Sequence, residues 1–436
     1  MRVDATLPVT FEDVQAAARA IEGAVLRTPT ARSRTLSAIT GADIVVKFEN
    51  LQFTASYKER GALTKLLSLT EDERARGVIA MSAGNHAQAL AYHGRRLGIA
   101  VTIVMPAHAA FTKVAGTEAL GARVVLHGRD VGEAAERARQ LSRDEGLVWV
   151  PPFDDPAVIA GQGTVALELL DDAPPLDVLV VPVGGGGLIS GMAIATKALA
   201  PHIEVIGVQA ERYPSMLAAL DGREHPVGGL TLAEGIAVPR AGELTTQIVR
   251  ALVDDLVTVS EPRIEQAVNL YLEIEKVVSE GAGAAGLAAV LADPDRFRGR
   301  TVGLVITGGN IDLRTLSTVI LRGLVRSGRL VRLTIELDDV PGALGRMTST
   351  IADEGGNIVE VAHQRLFSDL SITSAAVEVA VETRDAEHAN RLVEGLRAAG
   401  LRVTRRGPDH DHHDAGHHDH RSGPDDHGTG PHGHVE

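Results

Sequence analysis

Four short stretches of the 436-residue chain carry residue types that could do chemistry together. The first, Lys47 to Gly61, reads KFENLQFTASYKERG: a β-branched run ends, a polar turn follows, and Lys58 arrives at the start of a helical segment. A lysine there can point from a helix end into a cleft, although a solvated surface lysine is the competing reading of Lys58 taken alone. The second, Ser82-Ala83-Gly84-Asn85-His86, lies between the apolar run GVIAM and a segment of helical period. Backbone N–H groups and a helix dipole converge at such a junction and would hold a carboxylate or a phosphate; Ser82 acting only as a cap is the alternative. The third, Gly184-Gly185-Gly186-Gly187-Leu188, follows DVLVVPV. Four glycines leave N–H groups unshielded enough to wrap a phosphate, or they make a packing-driven tight turn. The string is neither GxGxxG nor GxxxxGK[ST], so neither a dinucleotide fingerprint nor an NTPase loop is indicated. The fourth, Thr307-Gly308-Gly309-Asn310, ends a buried strand at the carboxyl edge where open α/β sheets bind ligands. Its hydroxyl could face a ring nitrogen, or the string could be a turn. A lysine, an anion cradle, a phosphate nest and a hydroxyl at strand-to-helix junctions suit an aldehyde cofactor that carries a phosphate.

Such residues need alternating strands and helices to position them. From about residue 40 to 325, β-branched runs alternate with helical-period segments. The pattern predicts strands at Ile44–Phe48, Val78–Met81, Val101–Met105, Arg123–Leu126, Val178–Val183, Val205–Val208, Leu256–Val259 and Val302–Thr307. The sheet should be largely parallel and buried on both faces, and eight strands exceed one comfortable sheet. An early helix, Phe11 to Glu22, has Thr10 as N-cap and Asp13 at N3. After Arg329 the pattern becomes βαββαβ: strand Arg332–Leu337, a helix from Pro341, strands Ile358–Leu366 and Ala375–Val381, helix Ala386–Ala399 and strand Leu401–Arg405. Pro341 suits a helix N1 position. Nine of the last thirty residues are His among Asp, Gly and Pro, so the tail from Gly407 is expected to be disordered.

Forty-three Lys and Arg face 57 Asp and Glu, a net charge of −14, and no basic stripe offers a surface for nucleic acid. The absence of cysteine removes disulfides, thiolate zinc sites and Cys nucleophiles. The start, MRVDATLPVT, lacks a signal-type apolar region, and no apolar run reaches the roughly 18 residues of a spanning helix. A soluble, cytoplasmic protein without a membrane partner is expected. Seven Phe, four Tyr and one Trp beside 46 Gly leave cores of Ala, Val, Leu and Ile, which favours α/β architecture.

Residues about 10 to 325 resemble the fold type II pyridoxal-phosphate enzymes, and within them the threonine/serine dehydratase branch. The carriers are ENLQFTASYKERGA, SAGNHAQA, GGGGLISG, VQAE and TGGN, in the family's order over some 300 residues. The resemblance implies two open parallel-type α/β lobes over residues 1–328, the smaller mainly at about 45–150. It implies pyridoxal 5'-phosphate bound by Lys58 through a Schiff base, with Tyr57 against one ring face. Asn85 would bond the phenolic oxygen, Gly184, Gly185, Gly186, Gly187 and Leu188 would hold the phosphate, and Thr307 would face the pyridine nitrogen. Ser82, Ala83, Gly84, Asn85 and His86 would take the substrate carboxylate, with Arg60, Gln162, Gly235 and Glu280 around them. The implied reaction converts L-threonine to 2-oxobutanoate and ammonia, with L-serine as a further substrate; lyases of serine or 3-hydroxyaspartate are the near alternative. A binding protein that only senses amino acids is the distant one.

Thr307 stands where the family more often has Ser or Cys, and Ala55 where it often has Gly, which is harmless only if φ there is negative. Similar racemases carry a second serine immediately before the Gly-Asn pair; Ala83 cannot exchange a proton, which favours dehydration. Residues 329–406 resemble an ACT domain through LDDVPGALGRM and GGNIVEVAHQR, with Gly342 and Asn357 as candidate contacts for an isoleucine or valine effector. That resemblance also implies a homodimer or homotetramer, and dimerisation alone is its simpler use. A divalent metal stays open: Glu211 lacks a clear carboxylate set, and the His-rich tail 407–436 could chelate Ni²⁺, Cu²⁺ or Zn²⁺ without fixed spacing.

Overall fold

The computed structural model describes residues 7–223, 225–364 and 374–406. The chain divides into two compact units, Met1–Gly323 and Leu324–Glu436.

The first unit holds ten strands: β1 (Thr30–Ser33), β2 (Asp43–Phe48), β3 (Val78–Met81), β4 (Val101–Met105), β5 (Arg123–Leu126), β6 (Val148–Trp149), β7 (Val178–Pro182), β8 (Glu204–Ala210), β9 (Asp255–Val259) and β10 (Thr301–Ile306). They form two sheets, β1-β2-β10-β7-β8-β9 and β5-β4-β3-β6. Every pairing is parallel except that of β1 with β2. All eight expected strands are present, in an α/β fold with parallel sheets. The strand expected at Ile44–Phe48 stands in the larger sheet because β2 pairs with β10 over Asp43–Phe48, so the smaller sheet's strands run from Val78 to Trp149. The two further strands are short edges of four and two residues, too brief to show a period.

Continuous apolar strands are covered on both faces. On one face Val178, Val180, Ile206 and Val208 share a core with Ala284 and Ala288 of the helix Gly281–Ala292. On the other, Leu179, Val181 and Val205 meet Ile189 and Met192 of the helix Gly187–Leu199. The helix Pro156–Asp172 crosses that second helix at backbone contact: a Cβ on Gly191 would lie 2.2 Å from the Ile159 carbonyl oxygen. The first helix, Phe11–Ile21, carries the expected capping box between Thr10 and Asp13.

The second unit contains β11 (Leu330–Asp338), the helix Ala343–Asp353, β12 (Asn357–Gln364), β13 (Ser374–Glu382), the helix Ala386–Ala398 and β14 (Arg402–Arg406). Its antiparallel sheet has the order β12-β13-β11-β14. Val331, Leu333, Ile335 and Leu337 alternate inward from β11 onto Met347, Ile351, Leu392 and Leu396. The helix expected from Pro341 begins at Ala343, because Gly342 takes φ 87° at the N-cap, outside helical geometry. Asn357 opens β12 and donates from Nδ2 to Glu382 at 3.2 Å. Leu366 and the tail 407–436 lie outside the described residues. Among the described residues no helix is long and apolar enough to cross a membrane.

Candidate active site

Lys58 is placed by a loop stitched to the end of β10. After β2 a 3-10 turn (Glu49–Leu51) leads to residues 52–57, and Lys58 begins the helix Lys58–Leu67. The Gly309 N–H donates to the Ala55 carbonyl at 2.9 Å, and the Tyr57 N–H donates to the Thr307 carbonyl at 3.1 Å. Asn310 Nδ2 donates to the Thr54 carbonyl at 2.8 Å, and Glu59 accepts from the Thr54 hydroxyl at 2.9 Å. These bonds bring Thr307 beside Lys58 and hold Ala55 at φ 53°, so its methyl sits in the left-handed region where glycine is usual. Lys58 Nζ donates to the Pro152 carbonyl at 2.7 Å and lies 5.2 Å from the Tyr57 ring centroid. Burial lowers the Lys58 pKa to about 8, against an opposing pull from Glu280.

Ser82–His86 joins β3 to the helix Asn85–Leu97. Gly84 is the N-cap and offers no side chain, so the first-turn N–H groups of the helix face the cavity without a capping oxygen. His86 Nε2 donates to the Val150 carbonyl at 3.1 Å, which leaves Nδ1 unprotonated; Nδ1 is buried without a protein partner. Burial, then the Lys58 charge, push His86 down to about 3, so the ring is neutral. Asn85 is fixed at both ends of its amide: Nδ2 donates to Glu280 at 2.8 Å, and Oδ1 accepts from Asn310 at 2.8 Å. Burial raises the Glu280 carboxyl to about 7, partly offset by the Asn85 bond.

The glycine loop ends β7 and starts the helix Gly187–Leu199, where Gly186 takes φ 97° at the N-cap. A Cβ on Gly184 would lie 3.0 Å from Ile236 and Val238, and one on Gly185 would lie 2.4 Å from the Phe153 ring. Here packing and phosphate binding are not competing explanations: neighbours fill the side-chain space, and the backbone N–H groups of Gly187 and Leu188 remain at the helix start.

Tyr57, Lys58, Ser82–His86, Gly184–Leu188 and Thr307 therefore line one cavity of about 510 Å³, with Gly235 and Glu280. Arg60 and Gln162 do not. Arg60 is buried between Glu49 and Glu168, 2.8 and 2.7 Å away, and Gln162 accepts from the Gly61 N–H at 3.1 Å. Phe153, Val238 and the ion pair Lys113–Glu234 (2.7 Å) line the cavity without having been singled out in the sequence, and Asn310 lines it without having been given a role. Asn310 had a signal, the end of TGGN; Phe153 and Val238 sit in loops with none. Among the described residues no cluster of three His, Asp or Glu side chains is arranged to hold a metal, and Glu211 is exposed.

A lysine of lowered pKa, an uncapped helix start and a glycine turn whose side-chain space is filled share one cavity on an α/β scaffold, the combination a pyridoxal-phosphate enzyme needs. The family model described as pyridoxal-phosphate dependent enzyme matches residues 21–308, and the chain belongs to that family. The L-threonine ammonia-lyase of Thermotoga maritima is 47% identical over 397 residues, 91% of this chain and 99% of that protein. The L-threonine dehydratase catabolic TdcB of Escherichia coli is 44% identical over 324 residues, 73% of this chain and 98% of that protein. Among solved structures, the T.th. threonine deaminase superposes with a TM-score of 0.66 at 40% identity, covering 70% of this chain and 99% of that one. The residues present fit the cofactor, because the four glycines admit only backbone at the nest and Lys58 reaches the same space.

Proposed function

We propose that the chain dehydrates and deaminates L-threonine to 2-oxobutanoate and ammonia, and L-serine to pyruvate and ammonia by the same steps. The observation that carries this reading is the convergence of Lys58, the open start of the Asn85 helix and the glycine loop in one cavity, with relatives of like length named for threonine.

Gly184–Leu188 would hold the cofactor phosphate, Asn85 its phenolic oxygen and Thr307 its ring nitrogen, with Tyr57 against the ring. The bound cofactor supplies a conjugated ring that takes up the charge left when the α-proton departs. Ser82–His86 receives the substrate carboxylate on N–H donors and the helix dipole. Lys58, neutral above about pH 8, takes the α-proton and returns it to the departing β-hydroxyl, which leaves as water. Tautomerisation and uptake of one water then give the 2-oxo acid and ammonia. Ala83 provides no second base, which favours elimination over racemisation. A hydroxyl at Thr307, in place of a carboxylate, would leave the ring nitrogen of a bound cofactor largely unprotonated, which would favour elimination over transamination.

The second unit is read as an ACT-type regulatory domain at about 329–406, with Gly342 and Asn357 contacting isoleucine or valine. It is read as working in a homodimer or homotetramer in the cytoplasm. The βαββαβ order supports that reading. Lys58→Ala tests the enzymatic reading: loss of oxo-acid production with an unchanged circular-dichroism spectrum is expected, and full activity would overturn it.

A further inference from the structure

Building on threonine as the substrate, we infer that Phe153 and Val238 form an apolar wall that selects a short, uncharged β-alkyl group. Neighbouring glycines locate the wall. A Cβ on Gly184 would lie 3.0 Å from Val238 Cγ2, and one on Gly185 would lie 2.4 Å from the Phe153 ring carbons. The isopropyl group therefore packs on Gly184 and the ring on Gly185, and both residues line the cavity. They come from segments far apart in sequence, and each is fixed. Asp154, next to Phe153, accepts from the N–H groups of Glu243, Leu244 and Thr245 at 2.9, 3.0 and 3.2 Å. Val238 N–H donates to the Ile236 carbonyl at 2.8 Å. A wall held this way can discriminate by shape.

Other parts of the cavity carry separate parts of the proposed chemistry. Lys58 and Tyr57 lie on one side, Ser82–His86 takes the carboxylate, and Asn85, Glu280 and Thr307 face the ring position. Lys58 Nζ, the proposed base for the α-proton, donates at 2.7 Å to the carbonyl of Pro152, the residue before Phe153, so the wall lies close to the reacting carbon, and neither the phenyl ring nor the isopropyl group can hydrogen-bond to a β-substituent. Charge points the same way. Besides Lys58, the cavity's lysine is Lys113, and Glu234 engages it at 2.7 Å, while His86 is neutral. A β-carboxylate would lose hydration against this wall without a free cation to meet it. A β-methyl gains contact, and one methyl in an apolar pocket discriminates by roughly 10–200-fold.

The test uses the full chain loaded with pyridoxal phosphate, with cofactor absorbance read in every variant. Specificity constants are measured for L-threonine and L-serine. Dissociation constants are measured for L-2-aminobutyrate and L-alanine, which carry and lack the methyl but have no hydroxyl to eliminate. Wild type should favour the methyl-bearing member of each pair, and Val238→Ser should lower both ratios by about tenfold. Phe153→Leu, which keeps an apolar body over Gly185, should lower them in the same direction. Ratios unchanged in Val238→Ser with cofactor retained would overturn the wall. A wild-type holoenzyme that turns over neither substrate would instead sink the threonine reading, and the analogue ratios would still decide for or against the wall.

Discussion

An ordinary lysine is charged at neutral pH, yet Lys58 must be neutral to react with an aldehyde. Burial resolves the conflict by lowering its pKa to about 8. Capture of an aldehyde needs the neutral amine, so uptake of pyridoxal phosphate by the cofactor-free protein should rise as pH passes through 8 and then level off. Borohydride trapping of the Lys58 peptide measures it; a midpoint near the ordinary lysine value would contradict the burial argument. Glu280 shifts the other way. Its carboxyl is raised from 4.5 to about 7 by burial, so the folded state binds more protons than the unfolded one between those values. That contribution to stability is full below about 4.5 and lost as pH rises through about 7. Glu280→Gln, which can still accept from Asn85, should therefore raise the melting temperature more at pH 8 than at pH 5. Ala55 at φ 53° carries strain of roughly 1–2 kcal/mol, partly offset by the entropy a glycine would lose. Ala55→Gly should stabilise by about 0.5–1 kcal/mol in urea unfolding. Lys58, Asn85 and the glycines were legible because each sits at a strand-to-helix junction that sequence marks. The φ of Ala55 was not, since the Gly309 N–H bond that fixes it comes from 254 positions further along the chain.

At the scale of elements, one buried ion network ties together the pieces that carry Lys58. Lys47 on β2, Arg60 on the Lys58 helix, Glu49 on the 3-10 turn and Glu168 on the helix Pro156–Asp172 balance two cations with two carboxylates. Burial alone would push the Glu49 carboxyl up, yet the Arg60 charge and hydrogen bonds hold it below its usual range. Arg60→Ala would strand Glu49 without its partner and should cost about 3–5 kcal/mol in denaturant unfolding; a loss below 1 kcal/mol would mean that water or Lys47 takes over. The family resemblance suggested Arg60 in the shell around the cofactor, but Arg60 does not line the cavity. The helix turns that position about 200° away from Lys58, toward the larger sheet's helices. The parallel strands were legible from their continuous β-branched runs, whereas β1 and β6 were too short to announce themselves. The helix after β11 starts two residues later than Pro341 suggested because the left-handed Gly342 intervenes.

At the scale of the whole molecule, the chain has two units with separate cores, and the proposed catalysis and the proposed sensing fall in different units. An effector bound near Gly342 and Asn357 would act only through a difference in affinity between two states of the protein, typically 5–150-fold. Asn357→Ala should raise the isoleucine concentration for half-suppression by about tenfold; steady-state rates at fixed threonine read it, and an unchanged midpoint would place the effector elsewhere. The βαββαβ order was legible because its strands alternate with period two and its helices do not. The most direct test of the central claim is the turnover of L-threonine by the pyridoxal-phosphate-loaded chain, with 2-oxobutanoate and ammonia quantified together. Equal amounts of the two products, absent in Lys58→Ala, are predicted; a loaded protein that forms neither would contradict it.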